Sequence, residues 1–204
     1  MHPVWFVSSE KEDSVMLILI GIIVIVAVLF VTIYNKLIAY IEACRNNEKQ
    51  IDIQLDRRYK VYESLVNTVR TYMDYEKSTL KDVVALRAQA QAAKDSGNVQ
   101  GRIDAENKIS GILGGINAVF EQYPDLKANQ NAMQLQEEIV STENKLAYAK
   151  QALNDSIERY NAYKKSLIQS MVASAFAAKL DVNFTYWQLT DDQVKTQEAY
   201  TVKL

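Results

Sequence analysis

The chain has few of the residues that interrupt helices and few of those that usually perform chemistry. Its 204 residues include two prolines, six glycines, one cysteine and one histidine. Proline and glycine are the main breakers of regular structure, so their scarcity predicts long uninterrupted helices. A single cysteine, Cys44, excludes an intrachain disulfide framework and a cysteine-based zinc cluster, and reads as an ordinary packed thiol. The histidine, His2, lies at the N-terminus, far in sequence from Cys44, so the two make no nucleophile–base pair. There is no glycine loop leading into Lys-Ser or Lys-Thr and no H-E-x-x-H. Glu137, Glu138, Glu143 and Asp155 would have to join Asp52, Asp56 or Glu63 to make a carboxylate metal site between helices. Helical di-iron sites add Glu-x-x-His repeats, and no histidine follows His2. No catalytic residue, metal ligand or cofactor is therefore expected. The formal charge of -2 and pI near 5.6 also exclude the basic face of a nucleic-acid binder.

What the chain does have is a charge-free run from Val15 to Tyr34, VMLILIGIIVIVAVLFVTIY. At 1.5 Å per residue it covers roughly the 30 Å hydrocarbon core of a bilayer, which predicts a transmembrane helix after a short tail, 1–14. The alternative, a buried helix of a soluble protein, seldom carries so long an apolar run. The run also exceeds the apolar region of a signal peptide, and no small-x-small site follows it, so an uncleaved anchor is expected. Lys11 stands among Glu10, Glu12 and Asp13 before the run, whereas Lys36, Arg45 and Lys49 follow it. That bias predicts an outer N-terminus and a cytoplasmic C-terminal domain, with a periplasmic or extracellular domain as the alternative.

From Asn35 to Lys94 there is again no proline or glycine. Leu37, Tyr40, Ile41, Cys44, Ile51, Leu55, Tyr62, Leu65, Val69, Leu80, Val83, Val84 and Leu86 recur at helical spacing, opposite a charged face. Unbroken, these residues would form a rod of about 90 Å, whose apolar stripe needs partners. Asp95-Ser96-Gly97-Asn98 predicts a turn. A second helix is expected over about 99–122, with Ile103, Ile109 and Ile112 in its stripe. Gly111, Gly114 and Gly115 inside it cost roughly 2–3 kcal/mol of helix propensity, and predict either a close helix approach or a local break. Tyr123-Pro124 ends it. A third helix, 129–170, carries Leu135, Ile139, Leu146, Leu153, Ile157, Tyr160 and Leu167. The expected class is all-α: three long helices in a staggered antiparallel bundle over 35–170, then an irregular tail, 171–204. In that tail DVNFTYWQL reads as extended, and Thr190-Asp191-Asp192-Gln193 as a capping box.

Arg58 stands on the stripe 51, 55, 58, 62, which suggests either a guanidinium turned inward and paired with a carboxylate of the third helix, fixing register, or one swung out to the surface. Most of the twelve tyrosines read as core or boundary residues.

These residues resemble the LemA family. Tyr34-Asn35-Lys36-Leu37 follows the anchor, and Gln50-Ile-Asp-Ile-Gln-Leu-Asp-Arg-Arg-Tyr59 resembles the family's Q-I-D-V-Q-L-x-R-R-Y core. Tyr123-Pro-Asp-Leu-Lys-Ala128 resembles its Y-P-x-L-K-A turn. Leu135-Gln-Glu-Glu-Ile139 and Arg159-Tyr-Asn161 follow in order, and the likeness covers roughly 34–180. The chain departs from the family pattern at Leu167–Ala173, where a proline-containing F-P-x-N-x-x-A is usual, and in its tail aromatics, Phe176 and Phe184–Trp187. The resemblance implies an antiparallel bundle on a membrane anchor, in a bacterial cytoplasmic membrane, with no defined reaction. Two functions are expected. One is a non-enzymatic scaffold that self-assembles as a homo-oligomer, because the long rod outreaches its intrachain partners. The other is a membrane-tethered adaptor or sensor that recruits another protein or ligand.

Overall fold

A computed structural model of the chain describes residues 6–69, 77–122 and 129–188. They form α1 (Phe6–Val69), α2 (Lys77–Asp95), α3 (Val99–Gln122), α4 (Gln130–Lys164), α5 (Leu167–Ala175) and α6 (Ala177–Leu180), with no strand among the described residues. The chain divides into two compact units, both crossed by α1 and α4. One comprises Met1–Cys44 with Glu158–Asn183, the other Arg45–Ile157 with Phe184–Leu204.

The second unit is a four-helix bundle. Lys94 meets Asp52 and Arg87 lies over the Tyr59 ring, so α2 runs antiparallel to α1. Arg102 meets Asp52 and Glu106 meets Arg58, so α3 runs parallel to α1. Asn47 bonds Ser156 and Arg57 bonds Glu138, so α4 descends again. This up-down-up-down path needs only short connections between successive helices. It also corrects the expected continuous rod over 35–94: α1 ends at Val69, and α2 folds back along it. The apolar stripe is covered within the chain. Tyr62, Leu65, Val83, Ile109, Ala132 and Ile139, drawn from all four helices, form one buried cluster. Val84, expected in the stripe, is 59% exposed, because Val83 takes the inward position.

The turn between α2 and α3 uses its residues as the sequence suggests. The Asn98 N–H donates to the Ala93 carbonyl and the Gly97 N–H to the Lys94 carbonyl, the paired bonds of a Schellman cap. Gly97 takes φ +72°, the left-handed conformation that glycine adopts without strain. Asn98 then caps α3, its Oδ1 accepting the Gly101 N–H at 2.9 Å. Asn129 caps α4 in the same way, accepting the Ala132 N–H at 3.1 Å. α3 continues through Gly111, Gly114 and Gly115 without the local break. A Cβ on Gly111 would meet nothing within 4 Å, so close approach explains that glycine no better; the side-chain surroundings of the other two lie outside the described residues.

In the first unit α1 carries Ile33, Leu37, Ile41 and Cys44 as its buried positions. α4 ends at Lys164 rather than at 170, and Leu167 is 81% exposed instead of continuing the stripe. Ser166, in extended conformation, breaks the helix, and α5 starts afresh. Tyr160, wholly buried, explains the detour: its hydroxyl donates to the Leu180 carbonyl at 2.6 Å and accepts the Val182 N–H at 2.9 Å. The chain must leave α4 and return for both bonds to form. Segment 181–188 carries neither helix nor strand. The capping box at 190–193 lies outside the described residues, as does the turn at Tyr123-Pro124.

α1 is the one described helix long and apolar enough to cross a membrane. Its most apolar window has a mean hydropathy of 3.4 and is only 6% buried within the chain. α1 is already helical from Phe6, inside the stretch read as a tail.

Candidate functional site: a charged seam in the four-helix bundle

Arg58 faces inward, with only 2% of its side chain exposed. Its Nη2 donates to Glu106 Oε2 and its Nη1 to Ser110 Oγ at 2.9 Å, both on α3. Glu143 of α4 lies 3.6 Å from Nη1. The partner expected on the third helix is thus present at the rim, but the closer carboxylate belongs to α3. Sequence spacing places Arg58 on the inner face; it does not choose between two neighbouring helices that both offer an acid. Tyr59 donates its hydroxyl to Glu106 Oε1, which leaves both Glu106 oxygens bonded. Burial, then the Glu106 charge, holds the Tyr59 phenol well above its ordinary range.

Beside this centre the seam between α1, α2 and α3 opens into two adjoining clefts of about 330 and 190 Å³. Both are lined by Asp52, Lys94 and Arg102. Asp52 accepts from Lys94 at 2.9 Å and from Arg102, so one carboxylate ties α1 to both neighbours. Arg45, Glu48 and Lys49 line the larger cleft, and Asp56 and Arg87 the smaller. Glu48 is raised above the usual carboxylate value, first by burial and then by the nearby Asp52 charge.

Trp187, 8% exposed, closes the larger cleft. Asn154 of α4 holds it by its backbone, Oδ1 accepting the Trp187 N–H at 2.8 Å and Nδ2 donating to its carbonyl at 2.9 Å. Asn107 of α3 donates to the Gln188 carbonyl at 3.2 Å. Two asparagines thus bind an extended chain as a neighbouring strand would, by pairing backbone groups. Lys150 lies 5.0 Å and Arg102 5.7 Å from the Trp187 ring. Burial, and then the Arg58 charge, pushes the Lys150 ammonium down to about 8.

The other acids singled out in the sequence do not gather. Glu138 pairs with Arg57 and Asp56 with Lys60, whereas Glu63, Glu137 and Asp155 are exposed. Among the described residues no group of three or more His, Cys, Asp or Glu side chains is placed to hold a metal ion. Cys44 is buried, in keeping with a packed thiol. Tyr62 and Tyr160 are core residues and Tyr148 is 72% exposed, while Tyr72 and Tyr75 lie outside the described residues. Sequence reasoning missed Asn107, Asn154 and Lys150. Their roles rest on pairing with residues tens of positions away, and only a polar residue on an otherwise inward face could have hinted at them.

The LemA family profile matches residues 47–200, which takes in the seam apart from Arg45, α1 from Asn47 onward, α2, α3, α4 and the Trp187 strap. The chain belongs to the LemA family. A relative named Protein LemA, from Metamycoplasma hominis, is 26% identical over 153 residues. The match covers 75% of this chain and 60% of that protein, so the chain spans somewhat more than half of the relative's length. As a LemA family protein with one helix apolar enough to cross a bilayer, it is a membrane-associated helical protein. The family's Arg-Arg-Tyr motif corresponds here to Arg57, Arg58 and Tyr59, each bonded to an acid of another helix: Glu138 for the first, Glu106 for the other two.

Proposed function

We propose that this LemA family protein is a non-enzymatic scaffold of the bacterial cytoplasmic membrane. Its span, residues 15–34, is the anchor, and its cytoplasmic bundle docks a polypeptide segment in the charged seam. One observation carries the reading. The clefts are open and lined by both signs of charge, with Arg45, Lys49 and Arg87 set among Glu48, Asp52 and Asp56. Nucleic acid or a phosphorylated metabolite favours a seam of one sign, whereas mixed charge suits the side chains of a polypeptide. Both Glu106 oxygens and both terminal nitrogens of Arg58 are bonded within the chain, leaving Arg58 Nε as the unpaired donor, and this mutual pairing favours a structural over a catalytic use of those groups. The test places a photo-crosslinking residue at Gln91, in the wall of the smaller cleft, in intact membranes. The reading expects one heterologous band, lost on Lys49→Glu. Failure to recover any band beyond self-crosslinks defeats it.

A second reading, self-assembly through the span, is supported by the side chains of α1 from Val15 to Val31, each at least half exposed where large and apolar except Phe30, and by open space around Gly21. Gly21 and Ala27 are the small side chains of that run, points at which a neighbouring helix can approach closely. The bundle no longer argues for it, since α2, α3 and α4 cover the stripe of α1. Mass photometry of detergent-extracted protein decides: a monomer at all concentrations rules this reading out.

A further inference from the structure

We propose that α5 is an amphipathic membrane-surface helix, whose outward face of Leu167, Ile168 and Met171 lies in the lipid headgroup boundary beside the exit of the span. The inference rests on the reading of 15–34 as membrane-spanning and adds a second, peripheral lipid contact. The argument is one of level. Phe176, directly after α5, packs on Phe30 and Tyr34 with ring centroids 5.6 and 5.5 Å away. Those two rings are the last aromatics of the apolar run, so Phe176 is held at the edge of the hydrocarbon layer. At the other end of α5, Tyr163 packs on Tyr40 at 5.3 Å and lies under Lys36, whose Nζ is 4.9 Å from its centroid. Both ends of α5 are therefore fixed to α1 within ten residues of each other, about 15 Å along its axis. The nine-residue helix spans a similar length, about 14 Å, so it is confined to the levels between Phe30 and Tyr40, from the edge of the hydrocarbon into the headgroup layer.

Its faces are sorted to match. Val172 and Ala173 are buried inward. Leu167, Ile168 and Met171 are 81%, 57% and 70% exposed, and three and four residues apart they form one contiguous stripe. Large apolar side chains this exposed need a covering surface, and the bilayer is the one that must lie at that level if the span is inserted. Lys165 and Lys179, exposed at either end, suit anionic headgroups, and Tyr34, Tyr40 and Tyr163 have the amphipathic rings favoured at an interface.

The test labels single cysteines with an environment-sensitive fluorophore, in the full chain reconstituted into vesicles of neutral and anionic phospholipid. The positions are 168 and 171 on α5, 158 on α4 as the aqueous reference and 23 as the reference for the span; unsubstituted protein measures the background of buried Cys44. The proposal expects probes at 168 and 171 to be quenched by lipids carrying a shallow quencher more than by a deep one. Position 23 should show the reverse, and position 158 neither. Solvent-like emission at 168 and 171 with deep quenching at 23 overturns the surface helix and leaves the span intact. Absence of lipid quenching at 23 overturns the span. Blue-shifted emission at 168 and 171 without lipid quenching, fading as the protein is diluted in lipid, assigns the face to a second copy and overturns the proposal.

Discussion

Replacing Arg58 with methionine keeps an unbranched apolar stem and removes the guanidinium and its charge. Glu106, whose side chain is 3% exposed, would keep only the Tyr59 hydroxyl and face the bundle interior as an uncompensated carboxylate. Breaking a buried pair in this way costs about 3–5 kcal/mol. In a chain of this size each kcal/mol moves the midpoint by roughly 2–4 °C, so thermal unfolding followed by far-UV circular dichroism should shift down by about 6–20 °C. Glu106→Gln should cost less, because Arg58 keeps Ser110 at 2.9 Å and Glu143 at 3.6 Å. The double variant removes both charges together and should therefore cost less than the sum of the two, by about 1–3 kcal/mol. Additivity within about 0.5 kcal/mol would refute the reasoning, since it would mean that the two residues do not interact in the folded bundle.

Lys150 gives a pH signature. Its folded value of about 8 lies below the ordinary 10.5, so the unfolded chain binds more protons between the two and stability should rise as pH climbs through that interval. Lys150→Met should flatten the rise in denaturation curves taken below about pH 10, above which ionisation of Tyr59 works in the opposite direction. Asn154→Ala removes both bonds that hold the Trp187 backbone, and should make Trp187 accessible to acrylamide in a Trp5→Phe background. A quenching constant unchanged from the parent would show that the strap is held by its ring alone. Gly97→Ala forces a Cβ into a left-handed residue and should destabilise the chain by about 1 kcal/mol, read from the shift in denaturation midpoint.

Helices and inner faces were largely legible in the chain, because 3.6-residue periodicity and caps act locally. Leu37, Ile41, Ile51, Leu55, Leu146, Leu153 and Ile157 are buried as their spacing predicts, and Gly97 and Asn98 make the expected turn. The reversal between Val69 and Lys77 was not legible, since no proline or glycine marks it. The same apolar stripe that suits a rod also suits two antiparallel arms, and tertiary packing decides between them. The end of α4 was missed for a related reason. Leu167 falls in phase with the stripe, but the chain leaves the helix so that Leu180 and Val182 can reach Tyr160. A helix end set by a contact about twenty residues downstream leaves no local mark.

The buried charge at Arg58 follows from what the rest of the bundle lacks. Its core is built from isoleucine, leucine, valine and alanine repeated on four helices, and such surfaces still bury apolar area after a slip of one turn, about 5.4 Å. Apolar burial is non-directional, so it discriminates weakly between the correct register and the slipped one. Glu106 and Ser110 stand one turn apart on α3, so moving α3 by one turn would break the double contact they make with Arg58, and moving α4 would remove Glu143. Each slip takes polar partners from a buried guanidinium, a penalty that the apolar stripe alone does not impose. Asp52 repeats the device nearer the mouth of the seam, holding Lys94 and Arg102 from two helices at once. The charges that line the clefts are thus set in register by the same contacts that align the helices, and any partner recognised there would depend on Arg58 without touching it.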